Sequence, residues 1–180
     1  MKLKTKNLDL VPHSPLHMLA LIYGTEQYKQ AFGIPAAEGL RDFFFSPDMS
    51  ADYVVSLRAA TITDVWTHGF AIVHAVDRFV IGAASFKGAP DADNSVEIAY
   101  GVVPNYCGQG YATEAAQALT DFAFTDERVQ IVLAHTSPES NASTKVLAKC
   151  GYKFVGEVVD PVDGLIWRWE KCRSDNRKSQ

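Results

Sequence analysis

Two glycines separated by one residue, Gly108 and Gly110, lie between a β-strand pattern and a helix pattern. The apolar run 96–103, VEIAYGVV, precedes them, and apolar residues at i, i+3 and i+4 spacing follow over residues 115–123. Glycine lets the backbone approach a ligand closely, and the first N–H groups of a helix have no partner within the helix. The helix dipole adds a partial positive charge at the same end. This combination predicts a site for a phosphate or diphosphate group.

Other interpretations of the glycine pair make different demands on the sequence. A Rossmann dinucleotide site needs a third glycine where this chain has Thr113, and it opens the first βα unit, whereas this motif lies past the middle of the chain. A P-loop needs a Gly-Lys pair, and the sequence contains none. A plain tight turn would use the glycines only for their dihedral angles, and the motif alone leaves this alternative open.

The residues around the glycines resemble a known family. The stretch 96–116, VEIAYGVVPNYCGQGYATEAA, resembles the acyl-CoA signature of the GNAT family of N-acetyltransferases, with Asn105 where the family usually has Arg or Gln. Residues 140–152, SNASTKVLAKCGY, resemble a segment of the branch that contains the ribosomal-protein N-terminal acetyltransferases, with Ser140 in place of Asn and Tyr152 in place of Phe. The stretch 163–170, DGLIWRWE, is typical of the same branch. The resemblance covers most of residues 3–170.

This resemblance implies an acetyl-CoA-dependent N-acetyltransferase in which a primary amine attacks the thioester directly in a ternary complex. The backbone N–H groups of residues 108–113 would hold the diphosphate of the cofactor. The strand end near residues 102–103 would supply backbone donors for the oxyanion and for the pantetheine arm. The expected acetyl-CoA-binding residues are Val102, Val103, Gly108, Gln109, Gly110, Tyr111, Ala112, Thr113 and Ser140.

Acetyl transfer to an amine needs a group that takes the proton of the amine, because an ammonium ion has no free lone pair. The family counterpart of Glu97 is a Glu in a V-E-I-x-Y motif that often acts as this base, so the resemblance implies the same role here. Strand alternation places Glu97 on the opposite face from Val96 and Ile98, and an exposed or ion-paired strand residue is the alternative. Glu114 is the rival carboxylate, expected to be structural because a negative charge in the first helical turn favours the dipole.

The leaving thiolate also needs a proton donor. Many GNAT enzymes use a tyrosine on the helix after the fifth strand, and this chain has none between Ser140 and Cys150. Ser143 matches the family position, so the resemblance implies it as the second catalytic residue; contact of Ser143 with the cofactor's arm and protonation of the thiolate by water are the alternatives. Ser140 is expected either to contact the cofactor or to cap the helix that follows it.

Composition and charge restrict the class of protein. The chain has 180 residues, a net charge of −4 and 47% hydrophobic residues, which suits one soluble globular domain. No basic patch is evident, so nucleic acid is not an expected partner. The N-terminus lacks the apolar stretch of a signal peptide, and no run approaches the ~20 residues of a membrane span. The three cysteines are widely spaced and show neither a disulfide nor a metal pattern, so a cytoplasmic protein is expected.

No metal is expected either. His13 and His17 are four residues apart, but Pro15 lies between them and no third ligand is evident. His135 falls in a predicted strand near the expected cofactor cleft, where a core or surface role competes with contact to the substrate.

The order of elements predicts an α+β fold with a mixed, largely antiparallel central sheet, splayed strands and flanking helices. A single domain over 1–170 and a polar, frayed tail over 171–180 are expected. The first helix begins at the cap Ser14 and is expected to turn Leu16, Leu19, Ala20 and Tyr23 inward. The predicted elements are a strand at 3–11, helices at 15–24, 25–32, 36–45 and within 46–67, a hairpin at 70–76 and 79–86, a strand to 103, a helix to 124, a strand at 129–136, a helix capped by Ser140 that ends at Gly151, and a hairpin at 152–158 and 165–169.

The acceptor amine stays open at this point. A protein N-terminal α-amino group and a small-molecule amine both fit, because acceptor pockets are built from variable segments, here residues 14–67. Either a monomer or a homodimer is compatible with the sequence. The alternative function is an acyl-CoA-binding sensor or interaction module with little or no catalysis.

Overall fold

The computed structural model describes residues 1–45 and 50–176. The strands are β1 (Leu3–Lys4), β2 (Leu8–Pro12), β3 (Phe70–His74), β4 (Val80–Phe86), β5 (Ser95–Val102), β6 (Ile131–Thr136), β7 (Lys153–Asp160) and β8 (Gly164–Cys172). The helices are α1 (Pro15–Tyr23), α2 (Thr25–Phe32), α3 (Leu40–Phe44), α4 (Ala51–Ala59), α5 (Val65–His68), α6 (Tyr111–Ala123), α7 (Ala142–Lys149) and α8 (Arg173–Asn176). Within these residues no helix has both the length and the apolar character that crossing a membrane requires.

The strands form one sheet in the order β1-β2-β3-β4-β5-β6-β8-β7. Neighbouring strands pair antiparallel, except that β5 and β6 are parallel. The parallel pair follows from the connection between these strands, which passes through α6 and crosses back over the sheet. The structure confirms the predicted α+β fold with a mixed, largely antiparallel sheet.

The two parallel strands separate at the centre of the sheet. They are in register only from Ser95, opposite Ile131, to Glu97, opposite Leu133, although β5 continues to Val102. About five residues of β5, or ~16 Å at the usual rise of a strand, therefore leave β6 and open a V-shaped gap. Glu97 lies at the vertex of this gap, which confirms the splayed strands.

Helix α6 covers one face of the sheet with the apolar stripe that the sequence predicts. Ala115, Ala116, Leu119 and Ala123 are fully buried in the main core. Small residues on this stripe let the helix lie close to the sheet, so the start of α6 is held next to the end of β5.

Helix α1 begins as predicted, but it buries only part of the predicted face. The Ser14 hydroxyl accepts the N–H of His17 at 3.2 Å, and the His17 ring accepts the N–H of Ser14, so the start is firmly capped. Ala20 is buried and Leu19 is half-buried against the core, as predicted. Met18 and Leu21 also point into the core, whereas the expected core residues Leu16 and Tyr23 are 64% and 59% exposed. The prediction failed for Leu16 and Tyr23 because this helix is apolar on all sides, so its periodicity does not select one face.

Three other predicted segments are shorter or divided. The strand expected at 3–11 is a hairpin of β1 and β2, because the N–H and hydroxyl of Thr5 both donate to the carbonyl of Leu8 and reverse the chain. The helix expected at 36–45 is limited to α3. The helical segment 46–67 contains α4 and α5, and its residues 46–49 lie outside the described part of the chain.

The expected tail 171–180 begins later than predicted. Strand β8 runs to Cys172, and Lys171 is 2% exposed, because its ammonium donates to the carbonyl of Cys150 at 2.8 Å. Arg173 in α8 donates to the carbonyls of Phe124 and Val129 at 3.0 and 2.8 Å. Basic side chains that reach backbone carbonyls hold this segment to the domain. Residues 177–180 lie outside the described part.

His13 is a fully buried histidine between the sheet and the N-terminal helices. Its Nε2 lies 2.7 Å from the hydroxyl of Tyr28, its Nδ1 has no partner within the described residues, and the rings of Phe32 and Phe44 pack against it. Burial, with smaller contributions from His17 and His68, lowers its pKa to about 3. His13 is therefore a neutral residue of the core.

The protein should lose stability in mild acid through His13. The pKa of His13 in the folded chain lies below its unfolded value near 6.5. Below pH 6.5 the unfolded chain therefore binds a proton at His13 that the folded chain does not bind. Between pH 8 and pH 5 the free energy of unfolding should fall by about 2 kcal/mol from this group. Urea unfolding at several pH values measures the slope. His13→Gln, which retains hydrogen bonding to Tyr28 without titrating, should remove most of it, and an equally steep slope in that variant would contradict the assignment.

Candidate functional site

The turn between β5 and α6 has the open glycine geometry that the sequence predicts. Gly108 and Gly110 adopt left-handed φ values of +75° and +86°, which a residue with a Cβ adopts only at a cost of ~1–2 kcal/mol. Gly110 is the N-cap of α6 and has no side chain that could cap the helix. A Cβ atom placed at either glycine would meet no atom within 4 Å, so the space in front of both is open.

The backbone amides of this turn are unpaired donors. Within the described part of the chain, no group accepts the N–H groups of residues 108–113, and the first amide of the helix ladder is that of Glu114, which donates to Gly110 at 3.0 Å. Residues 107–110 are exposed and residues 111–113 are half-buried. Several free donors at the positive end of a helix form a site for an anion.

Two side chains of the turn are directed elsewhere. The Tyr111 hydroxyl lies 2.9 Å from Nε2 of His74 in β3, and the Gln109 amide donates to the carbonyl of Asn105 at 3.5 Å. Tyr111 and Gln109 therefore offer their backbone N–H groups to a ligand, while Asn105, at the family's Arg or Gln position, is exposed in a short 3₁₀ turn.

At the end of β5, one of the predicted backbone N–H donors is already paired. The N–H of Val103 already donates to the carbonyl of Ile81 at 2.8 Å, and its carbonyl accepts the N–H of Tyr106 at 2.9 Å. Val103 extends the β4–β5 ladder by one residue and is fully buried, so its amide is not a free oxyanion donor. Val102 pairs with Gly82, and its contact with the cofactor stays a prediction.

Glu97 lies at the vertex of the gap on the face that the alternation predicts. Its neighbours Val96 and Ile98 are each 3% exposed on the opposite face. Its Oε1 is 2.5 Å from the ammonium Nζ of Lys87 and 3.0 Å from Nδ1 of His135. Glu97 is thus an ion-pair partner, as the alternative interpretation requires, and it is also the carboxylate that borders the gap.

Lys87 and His135 are polar neighbours whose association with Glu97 the sequence did not reveal. Lys87 follows β4 and lies opposite Glu97, because its N–H donates to the Glu97 carbonyl at 3.0 Å, whereas His135 belongs to β6. Both line a cavity of about 400 Å³, together with residues 136–138, Asp163 of the β7–β8 turn and the start of β8. The Nε2 of His135 is buried with no partner within the described residues. This association depends on the register of β4, β5 and β6, and no local sequence pattern specifies that register.

Glu114 is structural, as expected. It accepts the N–H of Asn7 at 2.6 Å, the side-chain amide of Asn7 at 2.9 Å and the hydroxyl of Thr5. Burial alone would raise its pKa, but these hydrogen bonds together keep the pKa below its ordinary value. Glu114 therefore fastens the N-terminal hairpin to α6.

Helix α7 starts one residue later than the sequence predicts. The cap is Asn141, whose side chain accepts the N–H of Thr144 at 3.0 Å, while the Thr144 hydroxyl accepts the N–H of Asn141. Ser140 is exposed before the helix and is not the cap, because Asn141 and Thr144 form a reciprocal pair. Ser143 lies in the first turn of α7 and is exposed.

Tyr100 approaches the same turn of α7 and is a further candidate. Its hydroxyl is 3.5 Å from the carbonyl of Ser143, and burial raises the pKa of the phenol, which therefore stays protonated. Tyr100 is an even number of residues from Ile98 and an odd number from Glu97, so it faces the side of the sheet opposite Glu97. Strand β5 thus supplies a tyrosine close to α7, whereas the family pattern places a tyrosine on α7 itself.

A second cavity lies on the same face of the sheet as Glu97. It measures about 390 Å³ and is walled by residues from α1, α3, α4 and α5 and by Ala83 and Ser85 of β4. Ser85 pairs with Ala99, two residues beyond Glu97. Phe44 and Phe45 contribute aromatic surface to this cavity. The N-terminal helices thus form a chamber beside the gap whose walls are both polar and apolar.

Comparisons with known proteins agree with this geometry. The sequence matches the domain described as "Acetyltransferase (GNAT) domain" over residues 10–153. It is 31% identical over 104 residues to the uncharacterized N-acetyltransferase p20 of Bacillus licheniformis, covering 58% of this chain and 54% of that protein. The chain belongs to the GNAT acetyltransferase family. It spans about half the length of p20.

Solved structures share the fold. RimL, a ribosomal L7/L12 alpha-N-protein acetyltransferase in complex with coenzyme A, matches with a TM-score of 0.65 and 13% identity over 97% of this chain and 99% of that one. A chimera of spermidine N-acetyltransferase SpeG from Vibrio cholerae and hSSAT matches with a TM-score of 0.66 and 18% identity over 94% and 97%. At these identities the similarity concerns the arrangement of the chain and leaves the acceptor open.

Proposed function

We propose that this protein transfers an acetyl group from acetyl-CoA to a primary amine, by direct attack in a ternary complex. The observation that carries the proposal is the row of unpaired, accessible amides at residues 108–113, directly beside a gap between β5 and β6. These amides would hold the diphosphate, and the gap would receive the extended arm that ends in the thioester. RimL, whose structure contains coenzyme A, has the same fold.

The residues around the gap supply the remaining chemistry. Glu97 takes the proton of the attacking amine, since it is the carboxylate at the vertex on the chamber side. Ser143, or Tyr100 beside it, gives a proton to the departing thiolate on the opposite face. Because base and acid lie on opposite faces, the amine can enter from one side while coenzyme A occupies the other.

The acceptor is an amine from one of two groups. RimL acts on a protein α-amino group and SpeG on spermidine, according to their names, and both share this fold. The chamber beside Glu97, with its aromatic walls, would accommodate the group that carries the amine. A peptide beginning with a free α-amino group and a small-molecule amine are therefore the two substrate classes to compare.

A single assay tests this function. The purified chain is mixed with acetyl-CoA and a panel that contains N-terminal peptides, spermidine and aromatic amines, and free thiol is followed with time. We expect thiol release above the hydrolysis background with at least one amine, and a matching acetylated product by mass spectrometry. Calorimetry with coenzyme A accompanies the assay. Binding without turnover would support the sensor or interaction module instead, and absence of binding by folded protein would overturn both.

A further inference from the structure

Lys87 already occupies the position that the acceptor amine needs. Its Nζ lies 2.5 Å from Oε1 of Glu97, within hydrogen-bond distance of the group assigned as the base. Its side chain is 57% exposed and borders the cavity of about 400 Å³ that His135 also lines. An ε-ammonium is a primary amine on a flexible four-carbon stem, so it has both the chemistry and the mobility of a substrate.

We propose that Lys87 is a site of self-acetylation, modified by the same centre when no external amine is present. This inference rests on the proposed function, since it uses acetyl-CoA and Glu97. Glu97 takes a proton from the Lys87 ammonium, and the freed lone pair of Nζ forms a bond to the thioester carbonyl carbon. The carbon–sulfur bond breaks, and coenzyme A leaves as the thiol. The products are one acetyl-lysine, one coenzyme A and one released proton, with no oxidant or reductant.

The surroundings of Lys87 favour this reaction over a purely structural ion pair. The backbone N–H of Lys87 donates to the Glu97 carbonyl at 3.0 Å, which places the two side chains as direct neighbours on one face of the sheet. Glu97 also contacts Nδ1 of His135 at 3.0 Å, so its carboxylate is held on two sides and stays at the vertex of the gap. Proximity and a fixed base are the main requirements for acyl transfer between bound groups.

The chain offers a matched control lysine. Lys2 forms a comparable ion pair, with its Nζ 2.6 Å from Oδ2 of Asp9 and 38% of its side chain exposed. It lies next to β1, at one edge of the sheet, whereas the β5–β6 gap lies at the centre. Chemical acetylation by free acetyl-CoA would modify exposed lysines without regard to this gap, whereas the enzymatic reaction should favour Lys87.

The experiment incubates the full chain with acetyl-CoA and no amine and maps acetylated peptides by mass spectrometry over time. We expect up to one acetyl group per chain at Lys87, a rate per chain that does not change with protein concentration, and little modification of Lys2. Glu97→Gln should slow acetylation of Lys87 by about 100-fold and leave that of Lys2 unchanged. Lys87→Arg, which retains the charge, should abolish thiol release in the absence of an amine above the hydrolysis background.

The outcomes separate this inference from the proposed function. Equal acetylation of Lys87 and Lys2, unaffected by Glu97→Gln, would show chemical acetylation and overturn the inference. Turnover of an external amine with Lys87 unmodified would also overturn it, while the proposed function stands. Absence of amine turnover, of Lys87 acetylation and of coenzyme A binding together would overturn the proposed function and this inference with it.

Discussion

Replacing Glu97 by Gln should reduce kcat by about 10²- to 10⁴-fold, the usual contribution of a general base. Glutamine is nearly isosteric, and its amide oxygen can still accept hydrogen bonds from Lys87 and His135, so the sheet register should stay the same although the charge attraction to Lys87 is lost. It cannot accept the proton of the amine near neutral pH. Affinity for coenzyme A should stay the same, because the diphosphate donors belong to the turn before α6. Single-turnover thiol release and calorimetry measure the two effects separately.

Glu114→Gln is the matched control for this result. Glu114 is also a half-buried carboxylate, but it binds Asn7 and Thr5 and has no part in the gap. Its substitution should lower the free energy of unfolding, since charge-assisted hydrogen bonds to the N-terminal hairpin are weakened, and it should leave kcat within about twofold. Equal losses of kcat in both variants would mean that stability, and not proton transfer, explains the effect of Glu97→Gln.

The sequence was sufficient wherever local chemistry decides the structure. The glycine turn, the apolar stripe of α6 and the cap of α1 at Ser14 follow from dihedral preferences, periodicity and capping, and the structure contains each of them. These elements place the free amides at the end of β5. The family resemblance predicted the acetyl-transfer chemistry. It could do so because the motif around Gly108 and Gly110, which carries the resemblance, is itself a local sequence pattern.

Prediction failed where the tertiary arrangement chooses between locally equivalent options. The inward face of α1 depends on where α2 and α4 pack, and Leu16 and Met18 are equally apolar in sequence. The free donors of β5 depend on the ladder with β4, which uses the amide of Val103. Ser140, the predicted cap of α7, is not the cap, because reciprocal hydrogen bonds with Thr144 make Asn141 the N-cap. The contact between Lys87 and Glu97 depends on strand register alone, so no local pattern predicted it.

Gly110→Asp should weaken coenzyme A binding by at least about 100-fold, or ~3 kcal/mol. An aspartate at the N-cap accepts the N–H groups of the second and third helical residues, here Ala112 and Thr113, which are donors assigned to the diphosphate. Its negative charge would also lie close to the phosphates, and two like charges about 4 Å apart near a surface repel by several kcal/mol. Calorimetric titration with coenzyme A measures the loss, and thermal unfolding reports on the folded state.

The same change at Gly39 tests whether backbone strain explains the loss. Gly39 is also an N-cap without a side-chain cap, its φ and ψ of 80° and −4° nearly equal the 86° and −3° of Gly110, and a Cβ at either position meets no atom within 4 Å. Gly39→Asp therefore carries the same conformational cost at the start of α3. If both variants unfold at similar temperatures and only Gly110→Asp loses affinity, the effect belongs to the amides at residues 108–113. Equal affinities for coenzyme A in the two variants would contradict the assignment of the diphosphate to this turn.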